Sequence, residues 1–125
     1  MKVIGLDHVV LRVADVERSL AWYHGELGLE FERVDEWRRG EVFFPSVRVD
    51  ATTVIDLLQA ERTGENVDHV CLVIAPEDLD ALKASGRLDV ASGPSRVWGA
   101  QGDGLGLSVR DPDGNLVELR HYENG

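Results

Sequence analysis

The chain has 125 residues, with 13 Lys and Arg against 23 Asp and Glu and a formal net charge of −10. Hydrophobic residues make up 43% and charged residues 29%, a globular balance that excludes a disordered tail, a collagen-like repeat and a disulfide-stapled miniprotein. The negative excess repels phosphate backbones and anionic lipid, so neither nucleic acid nor a membrane is an expected partner. The single cysteine, Cys71, leaves no internal disulfide and no CxxC site, and it fits a reducing cytoplasm.

In chain order, Val3–Val13 alternates, with Val9, Leu11 and Val13 on one face and His8, Val10 and Arg12 on the other. That period predicts a strand. Asp7, His8 and Arg12 interrupt its apolar character, so it reads as neither a signal peptide nor a membrane span. Asp15 suits the N-cap of a helix whose stripe is Val16, Leu20, Tyr23 and Leu27, and Gly28 suits its stop. Strands are expected near 29–37, 41–49 and 52–59. The short polar stretch Gln59–Asn66 reads as a crossover.

The same signals then return. A strand places Val70, Leu72 and Ile74 opposite His69, Cys71 and Val73. Pro76, Glu77 and Asp78 suit the first turn of a helix carrying Leu79 and Leu82 and ending at Gly86. Strands are expected near 88–98, 105–110 and 115–122. The glycines between Gly99 and Gly106 read as a hairpin or a loop over a pocket, since no helix follows to make a dinucleotide site. Asp111-Pro112-Asp113-Gly114 has type I turn chemistry.

The order is therefore βαβββ twice: an α+β chain read as one domain over 1–125, with modules at about 1–60 and 66–123. Leu6–Leu11 matches Val67–Leu72, and Val54–Leu57 matches Leu116–Leu119. Strand parity puts His8, His69, Asp56 and Glu118 on the faces turned away from the helices. Two imidazoles and a carboxylate on one side of an ion leave positions open for substrate, and such donors suit Fe, Mn, Ni, Co or Zn. The competing reading makes each a hydrogen-bonded structural residue or a surface charge. Other inward candidates each have a bland alternative: Cys71 as core filler, Arg12 and Arg120 as solvated strand ends, Ser108 as a plain strand serine, Trp98 as packing rather than a cavity wall. His24 reads as surface, and His121 has the wrong parity to join the cluster.

The segments LDHVVLRVADVERSLAWYHGELGLEF, VDHVCLVI and VRDPDGNLVELRHY resemble the vicinal oxygen chelate superfamily. This group includes glyoxalase I, bleomycin-resistance proteins, extradiol dioxygenases, fosfomycin-modifying thiol transferases and methylmalonyl-CoA epimerases. The resemblance implies tandem βαβββ modules in a cupped mixed sheet and one divalent ion held by His8, His69 and Glu118. It also implies a homodimer, often with sites shared between chains. Asp56 stands where glyoxalase I has a longer Glu or Gln ligand, and the missing methylene shortens its reach by about 1.5 Å. Asp56 is thus expected to bind through water or to act as a base. Ser108 replaces the Tyr of the extradiol and fosfomycin enzymes, and Val10 replaces a Thr of the latter. The expected function is metal-dependent lyase or isomerase chemistry on a small substrate with two adjacent oxygens. Extradiol-type dioxygenation and non-catalytic drug or metabolite binding of the bleomycin-resistance type are the alternatives. Val10, Arg12, Cys71, Trp98, Ser108 and Arg120 are the residues expected to meet that substrate.

Overall fold

The computed structural model describes residues 1–61, 63–110 and 114–123. The first half runs β1 (Val3–Val13), α1 (Val16–Gly25), β2 (Glu30–Glu32), α2 (Val34–Arg38), β3 (Ser46–Asp50) and β4 (Thr53–Gln59). The second runs β5 (Val67–Ile74), α3 (Leu79–Ala84), β6 (Asp89–Gly99), β7 (Gly102–Arg110) and β8 (Leu116–His121). No helix among the described residues is long and apolar enough to cross a membrane.

All eight strands form one mixed sheet in the order β2-β3-β4-β1-β5-β8-β7-β6. Each half contributes four neighbouring strands. β1 pairs in parallel with β4, β5 pairs in parallel with β8, and the halves meet where β1 runs antiparallel to β5. The sheet curls until its far ends touch. Arg48 on β3 donates to the Ala100 carbonyl beyond β6 at 3.0 Å, and the Arg33 guanidinium lies over the Trp98 ring of β6 at 4.3 Å.

Each helix covers the outer face of its own half. Val16, Leu20, Val34, Val47 and Leu57 form one buried cluster. Ile74, Leu79, Leu82, Leu107, Val109 and Leu119 form the other. Burying a side chain such as Leu20 contributes about 2 kcal/mol. Asp15 accepts from the Arg18 N–H and Asp78 from the Ala81 N–H, so both helices carry an acidic N-cap.

Three local readings are corrected. Residues 34–38 form the short helix α2 rather than the end of a strand, and 41–45 precede β3 as irregular chain. α3 begins after Asp78, leaving Pro76 outside it. The glycine patch is the hairpin of the two expected alternatives, with Gly99 paired to Gly102 across Ala100-Gln101, Gly102 at φ 96° opening β7, and Gly104 and Gly106 inside it. A Cβ on Gly104 would lie 2.8 Å from the His121 carbonyl, so that glycine permits close strand approach. The turn expected at Asp111–Gly114 lies largely outside the described residues.

The β1–β5 ladder carries paired irregularities that position the site. Leu6 pairs with Leu72 and His8 with Cys71, so Asp7 is an extra residue on β1. Val10 pairs with His69 and Leu11 with Val67, so Asp68 is an extra residue on β5. Such bulges break strict alternation and re-aim side chains.

Candidate metal centre

Strand register lays the inner face out in two rows. In one, His8 on β1 faces Cys71 on β5, which faces Glu118 on β8, which faces Ser108 on β7. In the other, His69 on β5 faces Val10 on β1, which faces Asp56 on β4, which faces Ser46 on β3. Each row takes its imidazole from one half and its carboxylate from the other.

The rows converge on a small volume. His8 Nε2 and His69 Nε2 are 3.0 Å apart, and Glu118 Oε1 lies 4.0 Å from the first and 3.8 Å from the second. Asp56 Oδ2 approaches His8 Nε2 to 3.8 Å from the side. The ligating atoms of His8, His69 and Glu118 all lie within 4.8 Å of one another. One chain supplies all of them, so the group does not require modules from two chains.

The bulges explain how the imidazoles are held. His8 Nδ1 donates to Asp7 Oδ2 at 2.7 Å, and His69 Nδ1 donates to Asp68 Oδ2 at 2.9 Å. Burial pushes both aspartates toward higher pKa, but hydrogen bonds outweigh it and hold each below the ordinary value. They come from His8, Tyr122 and the Ala100 N–H for Asp7, and from His69 and Arg12 for Asp68. Ionised carboxylates only accept, so each Nδ1 carries the proton and each Nε2 presents a lone pair. Two bare lone pairs at 3.0 Å with a carboxylate oxygen beside them repel, so the pair is satisfied either by a proton shared between the two Nε2 atoms or by a cation among the three donors. The pKa of His8 reflects the same pull. Burial opposes its charge, yet the Asp7 bond and the charges of Asp56 and Glu118 raise it overall.

Donor chemistry and spacing therefore fit a divalent ion. Bonds of about 2.1 Å set adjacent donors on one octahedral ion about 3 Å apart, as the imidazoles are. Glu118 is also fixed. Its Oε2 accepts from Arg120 Nε at 2.9 Å and from the Cys71 thiol at 3.1 Å, with Arg120 Nη2 in ion-pair contact at 2.8 Å. Oε1 alone is left facing the imidazoles.

Asp56 is 2% exposed and accepts from the Ser46 hydroxyl. Burial raises its pKa, against the lowering influence of His8, Ser46, His69 and Arg33. A second grouping, Asp7, His8 and Cys71, also has ligand atoms close together. It suits a metal poorly. Asp7 is occupied by His8, Ala100 and Tyr122, and burial with the Glu118 charge pushes the Cys71 thiol well up.

Several residues expected at the substrate lie elsewhere. Arg120 is 0% exposed, and its donors go to Glu118, the Tyr122 hydroxyl and the Val97 and Trp98 carbonyls. Parity had it facing inward, which is right, but it stands behind Glu118. Cys71 is 0% exposed and holds Glu118 instead of lining a cavity. Arg12 donates to Asp68 at 3.0 Å. Val10 is buried between Asp56 and His69, while Ser108 and Trp98 are half-buried. A cavity of about 710 Å³ opens at the sheet end beside His69, and Arg12, Asn66, Asp68 and Arg110 line part of it. Asp7, Asp68, Tyr122 and Ser46 are the residues that parity missed. The repeated Asp-His dipeptide was the available signal for the first two.

Residues 5–119 match the family described as the Glyoxalase/Bleomycin resistance protein/Dioxygenase superfamily. The chain belongs to that superfamily. It is similar to the virulence protein STM3117 of Salmonella typhimurium, with 24% identity over 120 residues, covering 94% of this chain and 83% of that protein. It is also similar to the glyoxalase domain-containing protein RDO1 of Mycosarcoma maydis, with 29% identity over 139 residues, covering 99% and 72%. Among solved structures, a Mn(II)-bound glyoxalase from Novosphingobium aromaticivorans matches with TM-score 0.73 and 25% identity, over 96% of this chain and 39% of that one. The 2,3-dioxygenase LapB from Pseudomonas sp. KL28 matches in fold with TM-score 0.70 and 16% identity, over 98% and 46%. This chain spans less than half of each of those two structures. The curled eight-stranded sheet is the glyoxalase-like fold of the superfamily.

Proposed function

We propose that the chain is a divalent-metal-dependent enzyme that acts on a small substrate with two adjacent oxygens, by lyase or isomerase chemistry of the glyoxalase kind. The supporting observation is the convergence of three acceptors, His8 Nε2, His69 Nε2 and Glu118 Oε1, with both Nδ1 atoms tied to aspartates. His8, His69 and Glu118 would hold the ion, and the Mn(II)-bound neighbour supports its divalent class. When bound, such an ion polarises a carbonyl and stabilises negative charge on substrate oxygen.

The chain's own groups supply the rest. Glu118 contributes one oxygen because Arg120 and Cys71 occupy the other, which leaves positions for two substrate oxygens. Asp7 and Asp68 orient the imidazoles and fix the proton on each Nδ1. Asp56 acts as the proton carrier. Ser46 holds its Oδ1, its Oδ2 faces the site, and burial keeps its carboxyl protonatable nearer neutral pH than an exposed aspartate.

Protein purified without chelator, reloaded with Fe(II), Mn, Co, Ni or Zn in turn and assayed on thiol–aldehyde adducts and catechols, tests the reading. We expect about one ion per chain, activity that depends on the ion, and loss of the ion in His8→Ala and Glu118→Ala. Unchanged metal content in both variants would overturn it. Asp56→Asn should keep the ion and lose turnover. Ligand binding by the loaded protein with no turnover of any substrate class would instead leave the non-catalytic binding alternative.

A further inference from the structure

The structure assigns to Arg33 the recognition of an anionic oxyacid group on the substrate, a carboxylate in the first instance. This deepens the chelation reading and rests on it. Arg33 sits between β2 and α2 at φ 60°, ψ 22°, and it is the positive-φ residue other than glycine among the described residues. A β-carbon makes that conformation costly, so it persists only where the surroundings enforce it.

Its guanidinium shows what enforces it. Arg33 is half-buried, over the Trp98 ring at 4.3 Å and 5.5 Å from the Phe44 ring centroid. These aromatic contacts hold the cation in place without using its N–H donors. Arg12, Arg38, Arg39, Arg48, Arg96, Arg110 and Arg120 all have a carboxylate partner within 4.0 Å. For Arg33, no side-chain hydrogen bond or ion pair exists among the described residues, and Arg18 and Arg87, whose guanidinium groups share that condition, are exposed. A half-buried guanidinium with its planar fork of donors free is shaped to take a two-oxygen anion.

Its location ties this to the proposed centre. The Arg33 charge acts on Asp56 against the rise that burial imposes there, and Asp56 is 3.8 Å from His8 Nε2. It stands where the two ends of the curled sheet meet, on a Trp98 whose carbonyl accepts from Arg120, the residue that holds Glu118. A substrate chelated through two oxygens could extend a carboxylate from the ion toward Arg33.

The test compares three ligands on Zn-loaded protein by calorimetry without oxygen: catechol, 2,3-dihydroxybenzoate and 3,4-dihydroxybenzoate. The last two add only a carboxylate to the chelating pair. At least one should bind about tenfold or more tightly than catechol. Arg33→Asn, which suits a left-handed backbone, should erase that preference while catechol still binds, and its melting temperature should not fall. Arg33→Lys should keep part of the preference. Equal affinity for all three ligands, or a preference that survives Arg33→Asn, overturns the assignment and leaves chelation standing. Failure of all three to bind the loaded protein overturns chelation, and the assignment with it.

Discussion

The two halves supply the same parts to the centre but support them differently. On the Glu118 side, Cys71 and Arg120 clamp the carboxylate. Tyr122 bonds both Arg120 and Asp7, and Asp7 bonds His8. The matching positions in the first half hold Val10, Leu58 and Ala60, which offer Asp56 no side-chain donor. Asp56 relies on Ser46. The aspartates differ likewise: Asp7 is fully buried within this web, whereas Asp68 is partly open and paired with Arg12. A duplicated framework has thus become one arm whose carboxylate is clamped from several sides and one looser arm whose buried acid is held by Ser46.

The steepest way to break that contrast is within the clamped arm. Asp7→Ala removes the buried acceptor of the Tyr122 hydroxyl, His8 Nδ1 and the Ala100 N–H and the negative charge beside buried Arg120, and should cost about 3 kcal/mol or more in denaturant unfolding, against less than about 1 kcal/mol for the partly exposed Asp68→Ala. Equal costs would mean that the arms are equivalent. Gly99→Ala belongs to the same class, because a Cβ there would collide with the Arg120 guanidinium and lie 2.6 Å from Asp7 Oδ2. It should yield little folded protein, whereas Gly5→Ala, with open space at its Cβ, should express normally.

Metal affinity gives the next scale. Asp68→Ala should weaken binding roughly 10-fold through its imidazole alone, measured by chelator competition, with the fold intact. Cys71→Val makes the two rows alike at their middle position. It removes one of two hydrogen-bond donors on Glu118 Oε2 and should lower affinity by a few-fold, a change readable in the Co(II) absorption spectrum. No spectral change would show that Arg120 alone fixes the carboxylate.

The gentlest test is alkaline. Burial and the Asp7 bond push the Tyr122 phenol up to about 12. The folded chain therefore keeps a proton that the unfolded chain releases near 10, and stability falls as pH rises from about 10 toward 12. In a Tyr23→Phe background, phenolate absorbance should appear only near the upper end of that window. Titration near 10 would show that the web is open.

The sequence carried the architecture because two internal copies repeated strand parity and helix signals. It carried His8, His69, Glu118 and Asp56 because alternation holds through those stretches. It missed Asp7 and Asp68, although the Asp-His dipeptide repeats, because parity assigns neighbours to opposite faces and takes no account of the extra residue that a bulge adds. It misplaced Arg120 because alternation gives a direction and not a partner. The strand expected through 33–37 became α2 because the single αL residue Arg33 turns the chain, and no glycine marks that turn.

The donor set also straddles the junction between the halves. His8 and His69 lie 61 residues apart and meet only when β1 pairs with β5, and Glu118 joins only when β8 is in place. Contacts of such long sequence separation form late. The chain would therefore reach its final architecture before it could capture an ion. What occupies the centre would be decided by the supply of metals that the finished protein encounters, and not by those present while it is still collapsing.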